Sequence, residues 1–95
     1  MVRLQYNSEL VFPDYTQDND RWISIQNYQH EQWPALLQLW KLYNYHIAHI
    51  IRSLDHSKLS NTWTDFENNT GSLESMIEGY LWHLNLHLGE IHELI

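Results

Sequence analysis

Ninety-five residues allow one small domain with a modest core, and a hydrophobic share of 43% with five Trp and six Tyr is too high for a disordered segment. The formal charge is -7, and the five basic residues (Arg3, Arg21, Lys41, Arg52, Lys58) are scattered. No stripe of them can neutralise a run of phosphates, so nucleic acid is not an expected partner.

The absence of cysteine excludes disulfides, thiolate ligands and a cysteine nucleophile, which fits a reducing compartment. No stretch approaches the roughly 20 apolar residues that span a bilayer, and the N-terminus lacks a charged-then-apolar signal pattern. The expectation is a soluble, cytoplasmic protein with no membrane partner.

In chain order, Val2–Tyr6 opens with an apolar-polar run, and Leu4, Ser8 and Val11 have the spacing of a helix tail. From Pro13 to Asp20, Pro, Asp and Asn crowd together, which predicts an irregular connector. A long helix is expected over 28–55: Leu36, Trp40, Tyr43, Ile47, Ile50 and Leu54 repeat in steps of four and three. Pro34 places either the start of that helix near Trp33 or a kink there. Asp55-His56-Ser57 reads as its stop.

Residues 56–71 read as a polar connector whose Leu59, Trp63 and Phe66 pack back onto the helices, with Glu67–Gly71 as its clearest loop and no hairpin. Ser72 is a good N-cap and Glu74 suits the first turn, so a second long helix is expected over 72–94. Its seam is Ile77, Leu81, Leu84, Leu88 and Ile91. Gly79 and Gly89 each cost on the order of 1 kcal/mol relative to Ala, tolerable where another backbone or a ligand comes close. The chain is read as one partial domain, 1–95. Two long amphipathic helices do not close a bundle and leave apolar seams open. Two chains supply four such helices, so a homodimer is expected.

His83 and His87, four apart on the last helix, stack two imidazoles on one face that also holds Tyr80 and Glu90. Such a face is half of a site for zinc or nickel. The competing reading is two half-buried histidines bonded to backbone or to polar partners such as Asn44. His46 and His49, three apart on the middle helix, share a flank with Leu39 and Leu42, which makes His46 a further candidate ligand. Glu90, a turn beyond His87, is another, since oxygen binds zinc. His30, His56 and His92 read as surface residues.

A resemblance adds to this. Trp22-Ile23, Gln26-x-Tyr28, Trp33, Leu36-Leu37-x-Leu39-Trp40, Tyr43-Asn44-x-His46-Ile47 and Ile50-Ile51 resemble the third-helix region of DinB-like (damage-inducible) proteins. Trp63, the Ser72-Leu73 helix start and Tyr80-Leu81-x-His83-Leu84-x-x-His87-Leu88-x-x-Ile91 resemble that family's fourth helix. The similarity runs from about Phe12 onward. It implies an all-α, up-down four-helix bundle, often dimeric, with one metal-ligating histidine from the second helix and two, four apart, from the fourth. It assigns His83 and His87 to the fourth-helix pair and places His46 where the family often has histidine. Met1–Gln5 resembles the end of the second helix, so the first helix and most of the second are missing from the pattern.

Two functions follow. In one, His83 and His87 hold a divalent metal, with water or a second subunit completing the shell, as in metal-dependent hydrolases or thiol-dependent transferases. In the other, the chain is a non-catalytic helical dimerisation module with vestigial histidines. No paired carboxylate acid and base, no Ser-His-Asp order and no phosphate-cradling glycine loop is visible, so turnover rests wholly on the resemblance.

Overall fold

A computed structural model describes residues 1–14 and 16–94; Tyr15, inside the connector expected at Pro13–Asp20, lies outside the described residues. The chain is mostly helical, and it divides into two compact units: 1–12 with 54–95, and 13–53.

The first unit starts with a short helix, α1 (Val2–Tyr6), whose Leu4 is fully buried. Asn7 closes it by donating from both its backbone and its side chain to the Arg3 carbonyl. The helical spacing does not continue to Val11, because Glu9–Val11 forms strand β1. It pairs in parallel with β2 (Thr62–Thr64), which pairs antiparallel with β3 (Thr70–Ser72), in the order β1-β2-β3. This sheet corrects the all-α expectation and the absence of a hairpin. Thr-Trp-Thr suits a pleated strand, and it was hidden inside a polar connector too short to show alternation.

The hairpin turn is organised by Asp65. Its carboxylate accepts from the backbone N–H groups of Glu67 and Asn69, both at 2.9 Å, and from the Asn69 side-chain amide at 3.0 Å. Asn68 takes a left-handed conformation (φ 65), which Asn tolerates better than most residues. The loop signal at Glu67–Gly71 is therefore right only as far as Asn69, and Thr70-Gly71 is strand.

Buried Leu4, Leu10, Leu54 and Leu73 form the core, with Met1, Phe12, Leu59, Trp63, Met76 and Ile77 packed against it. Leu59 and Trp63 thus pack inward as expected, whereas Phe66 is exposed. Trp63 lies opposite Gly71 in the register and donates from its indole N–H to the Ser72 carbonyl at 3.2 Å. Asn61 ties the sheet to α1 by donating to the Leu4 carbonyl at 2.7 Å.

The last helix, α4, spans Leu73–Glu93. Its first N–H groups all find partners: Leu73 donates to the Asn61 carbonyl, Glu74 to the Leu59 carbonyl, and Ser75 to the Ser72 hydroxyl. The Ser75 hydroxyl in turn accepts from the Ser72 N–H, completing a capping box. Of its expected seam, Ile77 and Leu84 are half-buried, while Leu81, Leu88 and Ile91 are exposed.

The second unit holds α2 (Asn19–Gln26), a 3₁₀ turn at Tyr28–His30 and α3 (Trp33–Arg52). Helix α2 was not expected, although its caps are in the sequence. The Asp18 carboxylate accepts from Arg21 N–H at the start, and Asn27 sits in a left-handed conformation at the end. Helix α3 is shorter than 28–55 because Pro34 is tolerated only in its first turn, and Ser53 caps its other end. None of these three elements contains a buried residue. Trp40 and Tyr43 of the expected seam are exposed, and Leu36, Ile47 and Ile50 are half-buried.

The glycines separate two roles. A Cβ at Gly71 would stand 2.6 Å from Trp63 Cζ2, whereas at Gly79 and Gly89 it would meet nothing within 4 Å. The close approach expected at the two helix glycines is therefore found at the strand glycine instead. Gly71→Ala should destabilise the fold by about 1–3 kcal/mol, because the indole must move. Gly79→Ala and Gly89→Ala should each stabilise it by about 1 kcal/mol. Urea titrations followed by circular dichroism measure all three.

The hydrogen bonds to Asp65 give a second expectation. The Asn69 side-chain bond holds its carboxyl below the ordinary 3.8 against the opposing effect of desolvation, and the weaker backbone bonds from Asn69 and Glu67 add to the lowering. Its contribution to the turn is complete above that value and is lost as pH falls through the lower folded value. The Glu67 and Asn69 amide resonances should titrate with a midpoint below 3.8, and Asp65→Asn should remove that titration.

Candidate metal-binding face on the last helix

Helix α4 presents four glutamates (Glu74, Glu78, Glu90, Glu93) and neither Lys nor Arg. Its side chains therefore set a negative potential, which favours a cation over an anion. Because its first turn is fixed by the capping box and by buried Leu73, the positions that follow are set by one continuous helix.

His83 and His87 meet on this helix. Their ring centroids are 4.3 Å apart with the planes at 81°, and their Nε2 atoms approach to 2.9 Å. On its other side, His87 Nδ1 lies 3.0 Å from Glu90 Oε2. A carboxylate only accepts, so Nδ1 carries a hydrogen and donates it. Neutral His87 then has its lone pair at Nε2, where it accepts from His83 Nε2–H. The half-buried reading does not hold for His87, whose side chain is 53% exposed. Its hydrogen-bond partners, Glu90 and His83, lie on its own helix.

The donor set passes a simple geometric test. With metal–nitrogen bonds of about 2.05 Å, two nitrogens roughly 90° apart are about 2.9 Å from each other, and a tetrahedral pair is about 3.3 Å apart. The observed 2.9 Å is the hydrogen bond between the rings, and it keeps the two nitrogens within the range that one ion spans. Gly79, four residues before His83, leaves the N-terminal side of the pair uncrowded, since a Cβ there would touch nothing within 4 Å.

The other candidates are placed differently. His46 belongs to the second unit, exposed on α3, where its ring stacks on His49 with centroids 6.2 Å apart. Glu90 contacts the ring nitrogen of His87 that faces away from His83, so it acts on that ring and does not join the two Nε2 atoms. His30, His56 and His92 are exposed. Among the described residues, no group of three or more His, Asp or Glu is arranged to hold a metal. The carboxylate three residues beyond His87 was visible in the sequence, but its role depends on which ring nitrogen it reaches, and spacing alone does not give that. Among the described residues, no helix is long and apolar enough to cross a membrane.

No family model, curated protein or solved structure matches the chain.

Proposed function

We propose that this chain is a DinB-like helical domain that binds a divalent cation, nickel or zinc, through His83 and His87 and works as a homodimer in the cytoplasm. The observation that carries this reading is the 2.9 Å separation of the two Nε2 atoms, a spacing suited to two ligands of one ion. The acidic character of α4 supports a cation, and the resemblance of both helix regions to DinB-like proteins supports the family.

The homodimer reading rests on the second unit, whose helices contain no buried residue and expose Trp22, Trp33 and Trp40. Apolar surface of that kind marks an interaction face. The occupant proposed is a second copy, because two copies bring four long helices to a shared bundle. Water or the second copy's histidines then fill the remaining metal positions.

A bound divalent ion supplies a Lewis acid for water or a thiol, the chemistry of the hydrolases and thiol-dependent transferases that the resemblance implies. The exposed tryptophans also favour a second reading, a non-catalytic dimerisation module in which the histidines are vestigial. Both readings include the dimer, and only the first includes the metal.

Calorimetric titration of tag-free, metal-free protein with nickel and zinc separates them. Binding should occur, and His83→Ala or His87→Ala should each weaken it by more than the about 10- to 100-fold typical of losing an outer partner. Binding indifferent to both substitutions would end the metal reading. Native mass spectrometry should show a dimer, and if the ion bridges two copies, affinity should rise with protein concentration. A monomer at micromolar concentration would end the homodimer reading.

A further inference from the structure

We infer that Glu90 is a positioning residue for His87: it fixes the imidazole as the Nδ1–H tautomer and so aims the Nε2 lone pair at the ion shared with His83. The inference deepens the metal-binding reading of the same site and rests on it for its consequence, though its structural content holds without metal.

Three hydrogen-bonding groups stand in one row along α4. Glu90 Oε2 faces His87 Nδ1 at 3.0 Å, and His87 Nε2 faces His83 Nε2 at 2.9 Å. Only one assignment of neutral rings satisfies both contacts. His87 must donate through Nδ1, since a carboxylate has no hydrogen to give. It must therefore accept through Nε2, and His83 donates through its own Nε2–H. A free imidazole exchanges readily between its two tautomers, and only one of them leaves Nε2 able to bind a metal. A carboxylate or carbonyl behind a metal-ligating histidine selects that tautomer, holds the ring plane and raises the basicity of the opposite nitrogen.

The 2.9 Å separation is that of a hydrogen bond between the two rings, and an imidazole pair of this kind suits nickel or zinc. Before the ion binds, the hydrogen on His83 Nε2 occupies the space between the rings. Binding therefore requires His83 to carry its hydrogen on Nδ1 instead, while His87 is already in the required form. The two histidines have unequal parts: His87 is preset by Glu90, and His83 is the one that changes.

Nitrogen-15 NMR of the metal-free protein tests this directly, because protonated and bare imidazole nitrogens resonate far apart. His87 should show a protonated Nδ1 and a bare Nε2, and His83 a protonated Nε2. Glu90→Ala should return His87 to a mixture of tautomers and weaken nickel binding by about tenfold, the lower end of the range for outer partners because the site is exposed. Glu90→Gln, which keeps an oxygen acceptor, should preserve the tautomer and most of the affinity. Circular dichroism should show both variants folded, as the Glu90 side chain is 58% exposed. If His87 keeps its Nδ1–H form and its nickel affinity in Glu90→Ala, the inference is overturned while the metal reading stands. If wild-type protein binds neither nickel nor zinc, the metal reading falls, and the tautomer spectrum alone decides the role of Glu90.

Discussion

Thr62–Thr64 pairs with Glu9–Val11 along one edge and with Thr70–Ser72 along the other, and much of the first unit depends on this double pairing. The parallel partner arrives from before the whole second unit, so forming it closes a long loop whose entropic cost must be met by burial. Leu4 and Leu10 from one end of that loop and Leu54 and Leu73 from beyond it supply that burial in a single cluster. Asn61, immediately before the central strand, accepts from Leu73 with its carbonyl and donates to Leu4 with its side chain. One residue thereby joins the first helix, the sheet and the start of the last helix. The position of α4 is a consequence of that junction.

The second unit follows a different rule. Its helices have good local signals: an Asp18 cap, an Asn27 stop, a proline in the first turn of α3 and twenty residues of helix-forming sequence. Local signals are enough to define helix boundaries, but isolated helices are marginal in water without a packed face. With no buried residue in α2 or α3, this unit buries little apolar surface to hold its helices together. Trp22, Trp33 and Trp40 are costly to leave in water, and their indole N–H groups suit an interface that is part apolar and part wet. The expected seam of α3 is only half realised: Leu36, Ile47 and Ile50 are half-buried, and Trp40 and Tyr43 are exposed.

The sequence was legible where a single local rule decided the outcome. Ser72 as N-cap and the extent of the last helix are such cases, while Pro34 leaves a first-turn position and a kink both open, and the helix start at Trp33 decides between them. The long-helix content of the fold followed from periodicity. The sheet was not legible, because three-residue strands are too short for alternation to register, and a parallel pairing between residues 9–11 and 62–64 leaves no local trace. Helix α2 was missed for another reason: Asp and Asn serve as turn residues and as helix caps, and only the backbone conformation at Asn27 tells which. At the site, spacing placed His83 and His87 on one face, but not the ring orientations that bring their Nε2 atoms together. Nor did it separate Glu90 as a metal ligand from Glu90 as a partner of His87.

A pair of ligands four residues apart on one helix has a particular economy. Its geometry depends on a single rigid element, so it does not require two helices to be brought into register before an ion can bind. The backbone of α4 fixes where the two rings start, but each imidazole still turns about two side-chain bonds. Rotation of His87 is the larger threat, because its neighbour toward the C-terminus along that face would otherwise be solvent. The contact from Glu90 removes that freedom from the far side of the ring, where it cannot compete for the ion. What remains variable is the open side above Gly79, toward which further ligands or a second copy can approach. His87 is held from behind by Glu90, whereas His83 is hydrogen-bonded to the His87 ring itself.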